Sequence, residues 1–385
     1  MRAACPSPAD RWGRIRADLQ ADLLAALPAW VLARAIVLAT WLLARAIVDR
    51  RQDPPEWMTR HVAQGILGWD AERYVQIAAE GYQGLPDKEL RFFPLVPALT
   101  RAADPFLPGG DGVALLVLAN VAALVLGALL HRLVLLEMGD GAMARRAAWL
   151  VALTPASFVL VWGYSEPIWM ALAAGALLAA RQNRWPLAAG LGLLVGLSRP
   201  VAPLLAVGLG VEALRGIRVL PLRQWVARSA GVAAPVAGAA VYLAWVGATF
   251  GDPRLPYSIQ SRANFRGSFV DPITALSRPA SQLASGALGT NAFRVVWAAV
   301  FVALVVVAFR RWPAGYGAFA GVTVLVALCS SHLGSFERYG FSAFPIVLAL
   351  ATVGTRPWVE RAVLAVGVTT MALYGTLAML GPYVP

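Results

Sequence analysis

Asp70 stands out chemically, in the segment WDAERYVQIAAEGY over 69–82. Read as a helix, this segment has one charged face and one apolar face, the latter holding Tyr74, Ile77 and Ala78. It therefore predicts a short amphipathic helix at a membrane surface, ended by Gly81. Asp70, at the start of this helix, has two interpretations, which are compatible. It is a helix cap, or it is a general base held at the boundary between water and lipid.

Charged residues also stand at the ends of two apolar segments. The segment TPASFVLVWGYSEP over 154–167 ends with Tyr164, Ser165 and Glu166 before a proline. Glu166 is either part of a helix start or a carboxylate that faces water or a polar partner. In GLSRP, Arg199 separates two short apolar pieces. It is either a snorkelling side chain at a kink or a phosphate ligand, and the break in the apolar run favours phosphate.

Two later segments add polar residues to the same predicted face. The first, over 250–267, contributes Gln260, Arg262 and Arg266. The second, over 330–345, contributes His332, Glu337, Arg338 and Tyr339. Each segment alone is compatible with a solvated turn, but their accumulation predicts a shared polar cleft. The three histidines lack the local spacing of common zinc motifs, so no metal site is predicted.

Apolar stretches surround these residues and determine the fold class. The chain has 385 residues, of which 59% are hydrophobic and 14% charged, and this composition excludes a soluble domain. Segments long enough to cross a hydrocarbon core of about 30 Å recur along it. The sequence predicts one all-α polytopic membrane domain over 1–385, with about ten transmembrane helices. The predicted spans are 27–48, 111–136, 144–162, 164–180, 186–213 in two pieces, 230–249, 291–309, 314–331, 340–354 and 358–380.

The arginines predict the orientation of these spans. With residues 1–26 as a cytoplasmic leader, most arginines fall in inner loops, and the short outer turns hold only Arg199 and Arg338. The long loops 49–110 and 250–290 then lie outside the cytoplasm. Within the first loop, the prolines of RFFPLVP predict a rigid extended entry to the second span. The net charge of +12 fits contact with membrane lipids, and no nucleic-acid surface is predicted.

Six of these motifs, in this order, resemble the PIG-V family of mannosyltransferases, that of GPI mannosyltransferase 2, and in particular its bacterial members. The motifs span most of the chain. They are WD…Y..IA..GY at 69–82, FFPL.P at 92–97, TPAS…YSE at 154–166, RW.LA…G.SRP at 184–200, GDP…Q at 251–260 and ERY…FP at 337–345.

The resemblance implies a GT-C glycosyltransferase of the cell membrane that uses a polyprenyl-phosphate sugar outside the cytoplasm. It implies that the acidic residue of the first outer loop, here Asp70, is catalytic. A lipid-phosphate sugar carries its own leaving group, so a base and a few cations suffice, and no cofactor is expected. The pattern Asp70-Ala71-Glu72 differs from the paired acids of other GT-C families and leaves a divalent metal open.

Roles for the remaining polar residues follow from this hypothesis. Donor binding is predicted for Arg199, Arg338, Gln260 and Arg262, and substrate binding for Glu72, Tyr164, Glu166, His332 and Tyr339. The acceptor is a glycolipid or a cell-envelope glycan, and mannose itself is implied by the resemblance alone. Two other functions fit a chain of this kind. One is a transporter or flippase, which predicts paired broken helices in matching halves; the other is a lipid acyltransferase, which lacks a His-centred motif here.

Overall fold

The computed structural model describes residues 8–217, 220–287, 291–354 and 356–385, with side chains from residue 16 onward. Arg2 and Cys5 of the leader and Arg218 of an inner loop lie outside these described residues. Within them the chain forms helices and no strand. The helices are α1 Pro8–Asp49, α2 Glu56–Gln64, α3 Asp70–Glu80, α4 Leu95–Ala103, α5 Gly110–Met138, α6 Gly141–Leu153, α7 Glu166–Arg181, α8 Trp185–Gly196, α9 Leu205–Ala213, α10 Leu222–Phe250, α11 Leu255–Gln260, α12 Pro272–Ala284, α13 Arg294–Arg311, α14 Ala314–Leu328, α15 Phe336–Ser342, α16 Pro345–Val353 and α17 Pro357–Leu380.

Four of the described helices, α1, α5, α10 and α17, are long and apolar enough to cross a membrane. Helices α5 and α10 have 29 residues each, which is about 43 Å of helix. Shorter apolar helices include α8 and α14. The predicted fold class, an all-α membrane-embedded protein, agrees with this architecture.

Helix α1 runs unbroken from Pro8 through Pro28 to Asp49, so residues 8–26 of the predicted leader are helical. The structure corrects two predicted boundaries. The span predicted over 144–162 ends as α-helix at Leu153, one residue before Thr154 and the proline that follows it. The segment RFFPLVP is not wholly extended, because α4 begins at Leu95 and includes Pro97. A proline is tolerated there because the first N–H groups of a helix have no partner within it.

The predicted break around Arg199 is present, and α8 packs closely against α10 beside it. Helix α8 ends at Gly196, and the α-helix resumes only at Leu205. The backbones of α8 and α10 touch at this end: a Cβ on Gly196 would lie 2.1 Å from the Pro235 carbonyl oxygen, and one on Gly238 2.2 Å from that of Leu193. Glycine at both positions is what permits this approach.

Helix α7 connects two polar regions of the molecule. It begins with Glu166, ends with Arg181 and has 16 residues, or about 24 Å of helix. Its interior is packed, with Trp169, Ala173 and Leu177 fully buried. The charged residues at its two ends therefore belong to separate clusters on opposite sides of the helical core.

Candidate functional site

A cavity of about 760 Å³ opens at the end of α7 that carries Glu166. Its walls come from α2, α3, α11, α15 and the segment between α8 and α9. Six predicted site residues line it: Asp70, Glu72, Arg199, Gln260, Arg338 and Tyr339. The prediction of a shared polar cleft is confirmed for these six, although they are separated by up to 269 positions in sequence.

Asp70 begins α3, but its side chain does not cap the helix. The N-cap residue is Trp69, in the left-handed region with φ of 58°, and no side-chain cap hydrogen bond is present there. The interpretation of Asp70 as a helix cap is therefore wrong. Its Oδ2 instead accepts a hydrogen bond of 2.9 Å from Nη1 of Arg338. Its side chain is 27% exposed and faces the cavity.

The charge of Asp70 is set by its cationic neighbours. Burial by itself would raise the pKa of this carboxyl, but the charges of Arg338, Arg91 and Arg199 and the hydrogen bond from Arg338 outweigh burial. The pKa of Asp70 is therefore lowered. The group is a carboxylate at neutral pH, which is the protonation state that a general base requires.

Glu166 holds two arginines from behind the cavity. Its side chain is 1% exposed, and its Oε1 contacts Nη1 of Arg199 and, at 3.3 Å, Nε of Arg338. No side-chain cap bond is formed at Ser165, so the capping alternative is wrong here too. Arg338 therefore bridges Glu166 and Asp70.

Tyr164, like Glu166, lies beneath the cavity and not on its wall. It is fully buried, and the Arg338 guanidinium lies 5.3 Å from the centre of its ring. Substrate contact was predicted for Tyr164 and Glu166, whereas the structure places both where they support Arg338.

A third arginine, Arg266, also belongs to the site, because it contacts the ring of Tyr339. The Arg266 guanidinium lies over the Tyr339 ring at 3.9 Å, with Arg199 and Arg338 each 5.4 Å from the same ring. Burial opposes ionisation of Tyr339, but the charges of Arg266, Arg338 and Arg199 outweigh it and lower the pKa of this phenol to about 7. We call Arg199, Arg266 and Arg338 the arginine triad.

Arg266, and not Arg262, is the arginine of this loop that lies against Tyr339. After α11 ends at Gln260, the chain turns back, and the Arg266 N–H donates to the Gln260 carbonyl at 3.1 Å. The Arg266 carbonyl in turn accepts from the N–H of His332 at 3.0 Å. Arg262 and His332 themselves are exposed and do not line the cavity.

Arg91 also lines the cavity and was missed by the sequence analysis. Its guanidinium is stacked between the rings of Phe92, at 4.6 Å, and Phe265, at 4.2 Å. The sequence did offer an indication, because Arg91 is the first residue of the RFFPLVP motif. The motif was interpreted only through its prolines, as a rigid extended segment.

Two of the three acidic residues that line the cavity, Asp70 and Glu72, are paired with arginines. Glu72 contacts Arg60 at 3.2 Å and Arg73 at 3.3 Å, while Asp70 is held by Arg338. Among the residues whose side chains are described, no group of three or more His, Cys, Asp or Glu is placed to hold a metal ion.

A second space of about 430 Å³ adjoins the cavity, and we call it the apolar groove. The two spaces share five lining residues: Arg199, Pro200, Gln260, Arg266 and Tyr339. Most other residues of the groove are apolar or small, among them Leu204, Phe269 and Val326. Two arginines of the triad therefore lie where a polar cavity meets an apolar groove.

No protein-family model matches the chain, and no curated protein matches it significantly. What the molecule does has to be inferred from the chemistry of this site.

Proposed function

We propose that the protein is a membrane glycosyltransferase that moves a sugar from a polyprenyl-phosphate donor to a glycolipid or cell-envelope glycan. The observation that carries the proposal is the placement of the carboxylate of Asp70 beside the arginine triad, two members of which lie where the cavity meets the apolar groove. A mannosyl donor, a GT-C fold with about ten spans and an extracytoplasmic active site are the finer parts of the proposal, supported by the sequence motifs and by the arginine distribution.

The arginine triad suits the phosphate of such a donor. A sugar linked through phosphate to a lipid is a phosphodiester with one negative charge. Planar guanidinium groups bind phosphate oxygens through paired hydrogen bonds. Arg199 and Arg338 are only 6% and 7% exposed, so their charges act in a poorly hydrated site where electrostatic attraction is strong. Glu166 neutralises part of their charge and fixes their positions.

The apolar groove suits the lipid of the same donor. It begins at Arg199 and Arg266 and continues along the apolar residues of α14 and the 202–204 turn. A phosphate bound by the triad would therefore have its polyprenyl chain in the groove and its sugar in the polar cavity beside Asp70. One amphiphilic molecule accounts for both spaces and for the cations at their junction.

The transfer needs one proton acceptor and a stabilised leaving group. The acceptor hydroxyl oxygen attacks the anomeric carbon of the donor sugar, and its proton passes to the carboxylate of Asp70. The bond from that carbon to the phosphate oxygen breaks, and the electron pair leaves with the polyprenyl phosphate, whose second negative charge the triad stabilises. A single displacement of this kind inverts the anomeric centre.

Donor binding also adjusts the strength of the base. Arg338 donates a hydrogen bond to Asp70 and lowers the pKa of Asp70. A donor phosphate shares the charge of Arg338, so the pKa of Asp70 rises on binding and the carboxylate becomes a better proton acceptor. The base is thereby strengthened when the donor is in place.

A transfer assay tests the proposal. Purified protein in liposomes is supplied with polyprenyl-phosphate mannose, polyprenyl-phosphate glucose and a panel of envelope lipid extracts, and products are identified by mass spectrometry. We expect a new glycolipid or glycan with inverted anomeric configuration from at least one donor. Folded protein that moves donor across the bilayer and forms no glycoside would overturn the proposal in favour of a flippase.

A further inference from the structure

An aromatic wall, made of Trp57, His61 and Trp69, forms the side of the cavity contributed by α2 and the start of α3. The rings of His61 and Trp69 are stacked, with centroids 4.3 Å apart and planes 7° from parallel. Trp57 is 48% exposed although it lines a cavity. Large flat apolar surfaces inside a polar cavity are a recognised feature of ligand sites.

The wall is held rigidly from behind by the end of α17. The Trp69 indole N–H donates to the Ala378 carbonyl at 3.0 Å. At Gly381, a Cβ would lie 2.7 Å from Trp57 and 3.0 Å from His61, so both rings pack directly on this glycine. The rings are therefore fixed before any ligand arrives, which lowers the entropic cost of binding.

Polar side chains surround the aromatic rings, and their formal charges balance. The cavity on this side is lined by Glu56, Arg60, Gln64, Glu72 and Arg73, which are two carboxylates, two guanidinium groups and one amide. Such groups donate to and accept from hydroxyls. Burial, with the charge of Arg60, lowers the pKa of His61, so its ring is uncharged at neutral pH. The wall therefore suits an uncharged ligand with many hydroxyls and an apolar face.

We infer that the aromatic wall binds an uncharged hexopyranose unit of the acceptor, with the C–H face of the sugar on Trp57 and its hydroxyls on the surrounding polar groups. This inference rests on the proposed function. The donor is expected on the other side, because the arginine triad and the apolar groove lie there, and no residue of α2 lines the groove. Trp69 and Asp70 both line this cavity, so a sugar on the wall lies in the same space as the proposed base.

The test uses the full-length protein in nanodiscs and compares Trp57→Ala, Trp57→Phe and Trp358→Ala. Trp358 is 66% exposed at the start of α17 and does not line the cavity, so it is a matched control for loss of an exposed indole. Saturation-transfer NMR with methyl α-D-mannopyranoside and methyl α-D-glucopyranoside measures sugar binding without turnover. Transfer kinetics with the polyprenyl-phosphate donor that the wild type uses give separate KM values for donor and acceptor.

We expect Trp57→Ala to lose most of the saturation-transfer signal and to raise the acceptor KM about tenfold, with the donor KM changed less than about twofold. Trp57→Phe should keep part of the saturation-transfer signal and raise the acceptor KM less than Trp57→Ala does. Trp358→Ala should match the wild type in both measurements. An unchanged acceptor KM in folded Trp57→Ala would overturn the inference alone. An increase confined to the donor KM would also overturn it, since the wall would then hold the donor sugar. Absence of transfer by the wild type would instead overturn the proposed function.

Discussion

Two clusters of arginines and carboxylates lie at opposite ends of α7, and they differ in how completely their charges are paired. At the Arg181 end, Arg181 donates to both oxygens of Glu137, at 2.6 and 2.7 Å, and to Glu212 at 3.0 Å. Arg215 adds a further contact to Glu212 at 3.0 Å. We call these four residues the paired cluster, since two carboxylates meet two guanidinium groups.

At the Glu166 end, the arginine triad exceeds its carboxylates. Arg199 and Arg338 contact Glu166, and Arg338 also contacts Asp70. Arg266 lies over the Tyr339 ring, and its Nη2 is buried without a hydrogen-bond partner among the described residues. Buried charge left unpaired is costly and is retained where a ligand completes the pairing. From this comparison we propose that the paired cluster acts in the fold and that the triad binds the anionic donor.

The largest effect on the transfer rate is expected from a substitution of Asp70. The same variant shows whether Asp70 acts in catalysis or in folding. Asp70→Asn keeps the size of the side chain but cannot accept a proton at useful pH. We expect the transfer rate to fall about 10²- to 10⁴-fold, with the thermal unfolding midpoint little changed because the Asn oxygen can still accept from Arg338, which also keeps Glu166 as a charged partner. Steady-state transfer kinetics and thermal unfolding in detergent measure the two quantities.

The matched control for Asp70 is Glu80→Gln, which neutralises an exposed carboxylate at the other end of α3. It should leave the transfer rate within about twofold of wild type, as surface substitutions usually do. Near-normal transfer by Asp70→Asn that binds donor would remove Asp70 from the mechanism.

A substitution in the paired cluster should lower the free energy of unfolding. Arg181→Gln leaves Glu137 and Glu212 as buried carboxylates with their main partner lost, at a cost of about 3–5 kcal/mol in the free energy of unfolding. Arg266→Gln, at the other end, should change stability by less than about 1 kcal/mol and weaken donor binding. Denaturation in mixed micelles measures the first effect and equilibrium donor binding the second. Equal destabilisation by both variants would break the comparison.

Donor affinity should depend on guanidinium geometry at the triad. Arg199→Lys and Arg338→Lys keep the charge but lose the planar pair of donors, so we expect donor affinity to fall about tenfold while folding survives. Arg262→Lys, on an exposed arginine outside the cavity, serves as the control. Unchanged donor binding in both triad variants would place the phosphate elsewhere.

The smallest expected effect is a pH dependence that comes from Tyr339. Its pKa of about 7 means that a phenolate forms as pH rises through neutrality, facing Arg199, Arg266 and Arg338 as well as the carboxylate of Asp70. The phenolate competes with a phosphodiester for the same cations, and the phosphodiester does not titrate in this range. Donor affinity should therefore fall a few-fold between about pH 6 and pH 8.5, and Tyr339→Phe should abolish the change. A wild-type donor affinity that stays constant over this range would contradict the prediction.

Sequence reasoning found the fold class and the centre of the site for the same physical reason. A charge next to a long apolar run is unfavourable unless it has a partner, so Arg199 and Arg338 were conspicuous without any three-dimensional information. Asp70 was conspicuous because it begins an amphipathic segment. The break after Gly196 was likewise visible, because Ser-Arg-Pro interrupts an apolar run.

The conformation of the loop after α11 and the identity of the ion pairs could not be predicted from the sequence. Arg262 and Arg266 are chemically equivalent in sequence, and only the turn after α11 decides which of them reaches Tyr339. The partner of Asp70 is 268 positions away, and a long-range pair of this kind leaves no local pattern. The capping interpretations of Asp70 and Glu166 were wrong because helix-start statistics describe only local hydrogen bonds. Both carboxylates instead contact arginines that are distant in sequence.

The backbone at Trp69 has a consequence for how the site tolerates change. A bulky residue with φ of 58° is strained, by about 1–3 kcal/mol, and glycine would adopt that conformation without strain. Replacement by glycine would therefore relax the backbone and remove the indole beside Asp70 in the same step. The stacking of the indole on His61 and its hydrogen bond to the Ala378 carbonyl hold the strained backbone in place, so the contacts that form the aromatic wall also fix the conformation from which α3 and Asp70 begin.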